Sequence, residues 1–146
     1  MCAFKVNGLA KLNRLIDSVE INIDRIIKET LLFSANEILQ DALSTLPSGS
    51  GNVRASFAIQ VTDNGYTVTI FSDEEVAAYI EFGTGDFAKA YLAGKPPEMI
   101  AEALKFFVNG KGKMPAQPYL FPAYLARRDK ILDLIDTKVN EYLKSK

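Results

Sequence analysis

The chain has 146 residues, of which 48% are hydrophobic, and this is enough for one ordinary domain with a buried core. Its 17 basic and 18 acidic residues leave a formal charge of −1, so no net field attracts the chain to nucleic acid or to an anionic membrane. Histidine is absent and cysteine occurs once, at Cys2, which excludes an intramolecular disulfide, zinc sites built on Cys and His, and nucleophiles that a histidine activates.

The first predicted element is a helix from Leu9 to Leu46, a stretch that contains neither glycine nor proline. Its apolar side chains recur at intervals of three and four residues, as on one face of a helix. They are Leu9, Leu12, Ile16, Val19, Ile23, Ile26, Ile27, Leu31, Ala35, Ile38, Ala42 and Leu46. An unbroken helix would be ~57 Å long at ~1.5 Å per residue, longer than a small domain. We therefore expect it to bend or break near Ile26 and Ile27, where the stripe changes phase, or to project toward a partner.

A β-hairpin is predicted after Pro47, which ends the helix, and a flexible Ser-Gly loop at 48–51. Apolar residues alternate with mostly polar ones at Val53, Ala55, Phe57, Ile59 and Val61, and again at Tyr66, Val68 and Ile70. Between the two runs, Asn64-Gly65 tolerates the positive φ angles of a tight turn. The pattern therefore predicts two antiparallel strands, the first of which begins near Val53.

Two shorter helices are predicted next. The acidic triplet Asp73-Glu74-Glu75 suits the positive end of a helix that ends near Gly83. The residues from Gly85 to Pro97 are predicted to form a loop with a weakly helical middle. Glu98 to Asn109 has the apolar spacing of an amphipathic helix that follows a Pro-Pro pair and ends before a glycine.

A proline-flanked segment precedes the last predicted helix, from Ala123 to Leu143. Pro118 and Pro122 are expected to hold Tyr119-Leu120-Phe121 extended. Such a segment loses little entropy on docking, so it is a candidate subunit interface, with core packing as the alternative. The elements together predict one α+β domain over residues 1–146, with a long N-terminal helix, an antiparallel sheet with a hairpin, and two C-terminal helices.

Two short motifs lie about thirty residues apart. The first includes Tyr79, Glu81, Phe82, Gly83 and Thr84; the second runs from Met114 to Ala123 and includes Pro118, Tyr119, Leu120, Phe121 and Pro122. They resemble the Y-x-x-x-V-E-F-G-T and P-x-x-P-F-L-x-P-A patterns of the tail-component family of long-tailed bacteriophages and prophages. The segment from Gly51 to Ser56 resembles the entry to the family's first long strand. The resemblance covers roughly residues 9–140.

The resemblance implies a structural protein without enzymatic activity, cofactor or small-molecule substrate. Relatives are tail-completion or head-tail joining proteins, which implies a ring, typically six-fold, at the neck or tail end of the virion. The implied partners are copies of the same chain, the tail-tube protein and a head-completion protein, with assembly in the bacterial host cytoplasm. The ten residues of the two motifs named above are the candidate interface or motif residues.

Two departures from the family limit what the resemblance implies. Phe121 stands where relatives commonly have Arg, so a charged contact at that position does not carry over. This difference suggests that Tyr119 and Phe121 share an exposed side of an extended segment, while Leu120 points into the core. The insert at residues 86–113 varies widely among relatives and is assigned no shared role.

Two alternatives remain open from the residues themselves. Lys111, Lys113, Arg127, Arg128 and Lys130 are the residues of a basic patch that a nucleic-acid-binding or DNA-packaging accessory protein would use, although solvated helix faces also look like this. Glu81, between Ile80 and Phe82, is the one carboxyl placed for a raised pKa and general-acid chemistry. The structural interpretation is that Glu81 pairs with an Arg or caps backbone amides beside the Gly83-Thr84-Gly85 turn. No transmembrane run or signal peptide is evident, and we expect a soluble protein made in a reducing cytoplasm.

Overall fold

The computed structural model describes residues 9–106 and 111–146, and the side chains from Lys11 onward within those ranges. Over these residues the chain forms six α-helices and one two-stranded antiparallel sheet, so the predicted α+β class is confirmed. The elements are α1 (Leu9–Thr45), α2 (Gly51–Ser56), β1 (Phe57–Thr62), β2 (Thr67–Ser72), α3 (Glu75–Phe82), α4 (Gly85–Leu92), α5 (Pro97–Leu104) and α6 (Leu120–Lys144).

Helix α1 is a single run of 37 residues, about 55 Å long at ~1.5 Å per residue. It passes Ile26 and Ile27 without a break, so the helix is not interrupted where the apolar stripe changes phase. Residues 11–18 are exposed on every side of the helix, so the first turns of α1 project from the rest of the described chain; projection toward a partner stays a prediction. The helix ends just before Pro47, whose ring cannot continue it.

The predicted hairpin is confirmed, but its first strand starts later than the alternation suggested. Phe57 pairs with Ser72 at one end and Thr62 with Thr67 at the other. The turn between the strands places Asn64 at φ 53°. The expected strand start at Val53 is wrong because residues 51–56 form α2.

Helix α2 forms where a strand was expected because only one of its apolar side chains is buried. Val53 is 5% exposed and packs against Ala42 and Leu46 of α1, while Ala55 is exposed. A strand would have pointed Val53 and Ala55 to the same face. The Arg54 guanidinium donates to the carbonyl of Leu43 at 2.7 Å and ties α2 to the end of α1.

The middle of the chain contains more helix than predicted. The short helix that ends at Gly83 is confirmed as α3. The loop expected from Gly85 to Pro97 is wrong over its first part, which is α4, because Ala88 is only 2% exposed and gives this segment a buried face. Helix α5 begins at Pro97, a position where a proline's missing N–H costs nothing. The predicted end of that helix at Asn109 lies outside the described residues.

The proline-flanked segment is not extended, which corrects the prediction for residues 118–122. Helix α6 begins at Leu120, so Pro122 lies in its first turn, where proline is tolerated. The strand-like alternation of side chains is therefore wrong as well. Tyr119 is 2% exposed, whereas Leu120 and Phe121 are both half-buried.

The core consists of two clusters on either side of α3. One contains Ala77 and Ile80 of α3 together with Tyr119; the other contains Ala78 and Phe82 of α3. Helix α3 is therefore buried on two faces. No described helix is long and apolar enough to cross a membrane.

Helix α6 packs antiparallel to α1. Arg127, near the start of α6, donates from Nε to Asp41 Oδ2 at 2.6 Å, late in α1. Lys138, further along α6, lies over the ring of Phe33, earlier in α1, at 5.5 Å from the ring centroid. The rest of the fold is arranged around this helix pair.

Candidate functional site

The carboxylate of Glu81 lies between the two clusters and accepts three backbone hydrogen bonds. Oε2 accepts from the N–H groups of Tyr119 and Leu120, both at 2.8 Å, and Oε1 accepts from the N–H of Phe121 at 3.1 Å. The first N–H groups of a helix have no partner within the helix itself. Glu81, which is 3% exposed, therefore supplies the N-terminal cap of α6 from a different helix.

Two opposing effects act on the Glu81 carboxyl. Burial raises its pKa, and the three backbone N–H bonds lower it; the effect of burial is the larger, so the pKa lies above its ordinary value. Burial, followed by the charge on Glu81, raises the pKa of Tyr91 to about 12. The same two causes raise the pKa of Tyr119.

Gly83 and Thr84 hold the chain that leads into α6. A Cβ on Gly83, whose φ is 75°, would lie 2.7 Å from the backbone nitrogen of Ala116 and 2.8 Å from the carbonyl oxygen of Met114. Thr84 N–H donates to Met114 O at 2.8 Å, and Met114 N–H donates back to Thr84 Oγ1 at 2.8 Å. Only glycine allows this approach, since it has no Cβ and adopts positive φ at little cost.

A further backbone bond completes the contact between the two motifs. Gln117 N–H donates to the carbonyl of Ile80 at 2.8 Å. The segment from Met114 to Phe121 is thus held at several successive positions by residues 80–84. We call this arrangement the Glu81 clamp.

The aromatic side chains of the second motif pack into both clusters. The Tyr119 hydroxyl donates to the carbonyl of Ala77 at 3.0 Å, and its ring meets Phe57 edge to face at 5.9 Å. The Phe121 ring lies 5.8 Å from that of Phe82, in the other cluster. The first turn of α6 therefore joins the two halves of the core.

The structure brings together seven of the ten predicted motif residues in the Glu81 clamp and its aromatic contacts. The other three lie outside these contacts. The seven are Glu81, Phe82, Gly83, Thr84, Tyr119, Leu120 and Phe121. Tyr79 is half-buried and its hydroxyl donates to Glu75 at 3.3 Å, while Pro118 and Pro122 are exposed. Of the structural interpretations for Glu81, backbone capping is the one observed, but the amides belong to the second motif.

Sequence reasoning missed the backbone groups of the clamp. Met114 and Gln117 were included in the second motif without a role, yet their N–H groups donate to Thr84 and to Ile80. Every non-proline residue has an N–H and a C=O, so these partners carry no sequence signal. The spacing of the two motifs could have suggested contact between them, but not which atoms meet.

The arginines of the expected basic patch are paired with carboxylates. Arg127 contacts Asp41 and also Glu37, at 3.4 Å, and the hydrogen bond to Asp41 raises the pKa of Arg127. Arg128 contacts Glu98 at 3.0 Å. These contacts join α6 to α1 and α5, so the geometry does not favour a nucleic-acid interface at the arginines.

Residues 11–19 of α1, which we call the tip, form an apolar surface that is mostly uncovered by the other described residues. Leu12, Leu15 and Ile16 are 50%, 53% and 53% exposed. Lys11 and Arg14 lie among them and make no ion pair with any described residue.

A second apolar surface is concave, and we call it the groove. It is an open cavity of about 770 Å³ between α1, β2, α3, α5 and α6. Its apolar lining includes Leu31, Ile38, Phe71, Phe106, Tyr124 and Ile131. Glu74 is also among its lining residues, and its chain neighbours Asp73 and Glu75 are exposed; none of these three acids forms an ion pair within the described residues.

The polar partners of Glu81 within the described residues are backbone N–H groups, and these bonds hold α3 and the start of α6 together. The model of the family described as "Bacteriophage HK97-gp10, putative tail-component" matches residues 10–83, just over half of the chain. The chain belongs to this family, as its motifs suggested, and is a structural component of a phage tail.

The family match contains α1, the hairpin and the Glu81 end of the clamp, but it stops before the second motif. The hydrogen bonds of Glu81 connect the matched part to the start of α6, and Arg127 connects it further along the helix through Asp41. No curated protein and no solved structure matches the chain significantly.

Proposed function

We propose that this tail component is a tail-completion or head-tail joining subunit. In this proposal copies of the chain assemble into a ring, six-membered as is typical of the relatives, at the neck or tail end of the virion. The ring contacts the tail-tube protein on one side and a head-completion protein on the other, and it acts without catalysis, cofactor or small-molecule substrate.

The observation that carries the proposal is the unpartnered tip of α1. Residues 11–18 are exposed all round, although this stretch includes Leu12, Leu15 and Ile16. Exposed apolar side chains on a helix that leaves its own domain are a cost to an isolated monomer and a gain in an assembly. A subunit that acts only in an assembly explains both the length of α1 and its composition.

Assembly is tested on the full chain by light scattering and mass photometry over a concentration series, with negative-stain electron microscopy of the same samples. We expect a concentration-dependent oligomer and ring-shaped particles. Purified tail tubes are then added, and particles are expected at one end of the tube, with tubes alone as the control. A strictly monomeric chain, with and without tubes, would contradict the joining function.

A further inference from the structure

We propose that the tip of one copy docks in the groove of the next copy, so that each subunit gives one helix and receives one. This inference rests on the proposed ring and names the contact that builds it. The tip and the groove are different surfaces of the same chain, so the contact is heterologous.

The tip has the anchor pattern of a helix that lies in a groove. Leu12, Leu15, Ile16 and Val19 occupy positions i, i+3, i+4 and i+7, which fall on one side of a helix. The first three are at least half exposed, and Val19 is half-buried. The apolar surface that needs covering is therefore a single stripe, about two turns long.

The groove has the shape and chemistry to receive that stripe. Its volume of about 770 Å³ lies within the usual range for binding cavities, and Phe71, Phe106 and Tyr124 are among its apolar lining residues. The exposed Phe71 and Tyr124 are 41% and 37% accessible, so part of the lining faces solvent in the monomer. An apolar helix face would cover it.

The charges at the two surfaces are complementary. Lys11 and Arg14 flank the stripe, and Glu74 lines the groove, with the exposed Asp73 and Glu75 beside it in the sequence; none of the five is in an ion pair within the described residues. Lys105 also lines the groove but is paired with Glu102. Opposite charges on two surfaces steer them together and fix their orientation. This complementarity favours a second copy of the chain as the occupant.

The tip cannot reach the groove of its own chain. Leu15 and Leu31 lie on the same unbroken helix, about 24 Å apart at ~1.5 Å per residue, and Leu31 lines the groove. Because α1 is unbroken between them, the tip is held at that distance from its own groove. A contact between one tip and the next groove repeats from copy to copy, and it closes into a ring when the rotation between neighbours allows it.

The contact is tested with one variant of each surface and a matched control for each. Leu15→Asp changes the tip; its control is Ile21→Asp, which alters an exposed apolar residue of α1 about half a turn round the helix from Leu12. Phe71→Lys changes the groove; its control is Val61→Lys, which alters an exposed apolar residue of the same hairpin that does not line the groove. Circular dichroism establishes that each variant is folded.

We expect Leu15→Asp and Phe71→Lys each to weaken self-association at least ~10-fold, the effect of losing a central interface residue. Both controls should keep the wild-type mass. The decisive measurement mixes the two defective variants. The Phe71→Lys chain retains its tip and the Leu15→Asp chain retains its groove, so one productive contact is possible and the mixture should form a 1:1 heterodimer that does not grow.

Each other outcome is informative. Rings that persist in both defective variants would contradict the docking of the tip in the groove, but they would still support the proposed ring. A wild-type dimer that both variants dissociate would support the docking and overturn the ring, and a wild-type monomer would overturn both. Loss of assembly in Leu15→Asp alone, with no heterodimer in the mixture, would mean that tips bind each other, and it would overturn the groove as the receptor.

Discussion

Oε2 of Glu81 lies 2.8 Å from the backbone nitrogen of Leu120, the first residue of α6. One carboxylate thus joins α3 to the start of the helix that packs along α1. The bond connects the part of the chain that matches the tail-component family with a segment outside the match. The stability of this clamp is open to direct measurement.

Glu81→Gln should lower the free energy of unfolding by ~2–3 kcal/mol, because the amide replaces one of the two accepting oxygens with an NH₂ group that faces backbone N–H donors and leaves them without an acceptor. Glu75→Gln, on the exposed side of the same helix, is the control and should change stability by no more than ~0.5 kcal/mol. Urea denaturation followed by circular dichroism measures both. Equal, small effects would show that the clamp contributes little.

The free energy of unfolding should change with pH because of the titration of Glu81. Burial raises the pKa of its carboxyl above the ordinary value of 4.5, so the folded chain holds this proton more tightly than the unfolded chain does. The stabilising contribution of Glu81 to the free energy of unfolding is therefore complete below pH 4.5, and it is lost as the pH rises through the pKa of the folded state. The free energy of unfolding of the wild type minus that of Glu81→Gln should be larger at about pH 4 than at about pH 7. A difference that shrinks on acidification would mean that the three N–H bonds outweigh burial.

Gly83→Ala should destabilise the protein much more than Gly94→Ala. Both glycines have nearly the same positive φ, 75° and 74°, which costs an alanine at least ~1–2 kcal/mol, and the ψ of −169° at Gly83 adds to that cost because this combination is essentially restricted to glycine. A Cβ at Gly94 meets nothing within 4 Å, whereas one at Gly83 lies 2.7 Å from the nitrogen of Ala116. The clash should add ~1–3 kcal/mol, measured as the difference between the two thermal melts. Similar melts would show that residues 114–116 shift at little cost.

Tyr119→Phe should cost ~1 kcal/mol, because it removes the hydroxyl that donates to the carbonyl of Ala77 and leaves the ring in place. Tyr124→Phe is the control, since the Tyr124 hydroxyl has no hydrogen bond to a described residue and its side chain is 37% exposed. Parallel urea melts compare the two. An equal effect of both substitutions would contradict the role of the Tyr119 hydroxyl.

The family's usual Arg at position 121 suggested an exposed Phe121, and the structure gives a different expectation. The Phe121 ring packs against Phe82 and, edge to face at 6.3 Å, against Tyr124. Phe121→Arg should therefore destabilise the fold by ~1–3 kcal/mol, less than the loss of a fully buried ring because Phe121 is only half-buried. A melting temperature equal to that of the wild type would restore the sequence-based expectation.

Several elements could be predicted from the sequence because their signals are local. The three- and four-residue spacing from Leu12 to Leu46 predicts α1, and Pro47 ends it. Asn64-Gly65 predicts the hairpin turn, since few other pairs adopt its φ angles. The composition also excludes a histidine-activated nucleophile, because the chain contains no histidine.

Tertiary structure decided what local patterns do not encode. Residues 51–56 and 85–92 are helical because Val53 and Ala88 meet the core, and Leu120 to Pro122 are helical because Glu81 supplies the cap that their own sequence lacks. The sequence by itself determined the length and the apolar stripe of α1, the hairpin and the identity of the two motifs. Only the folded chain decided that the motifs meet, since the bonds between them run from a carboxylate to backbone N–H groups 38 to 40 residues away, and backbone groups are the same at almost every position of a sequence.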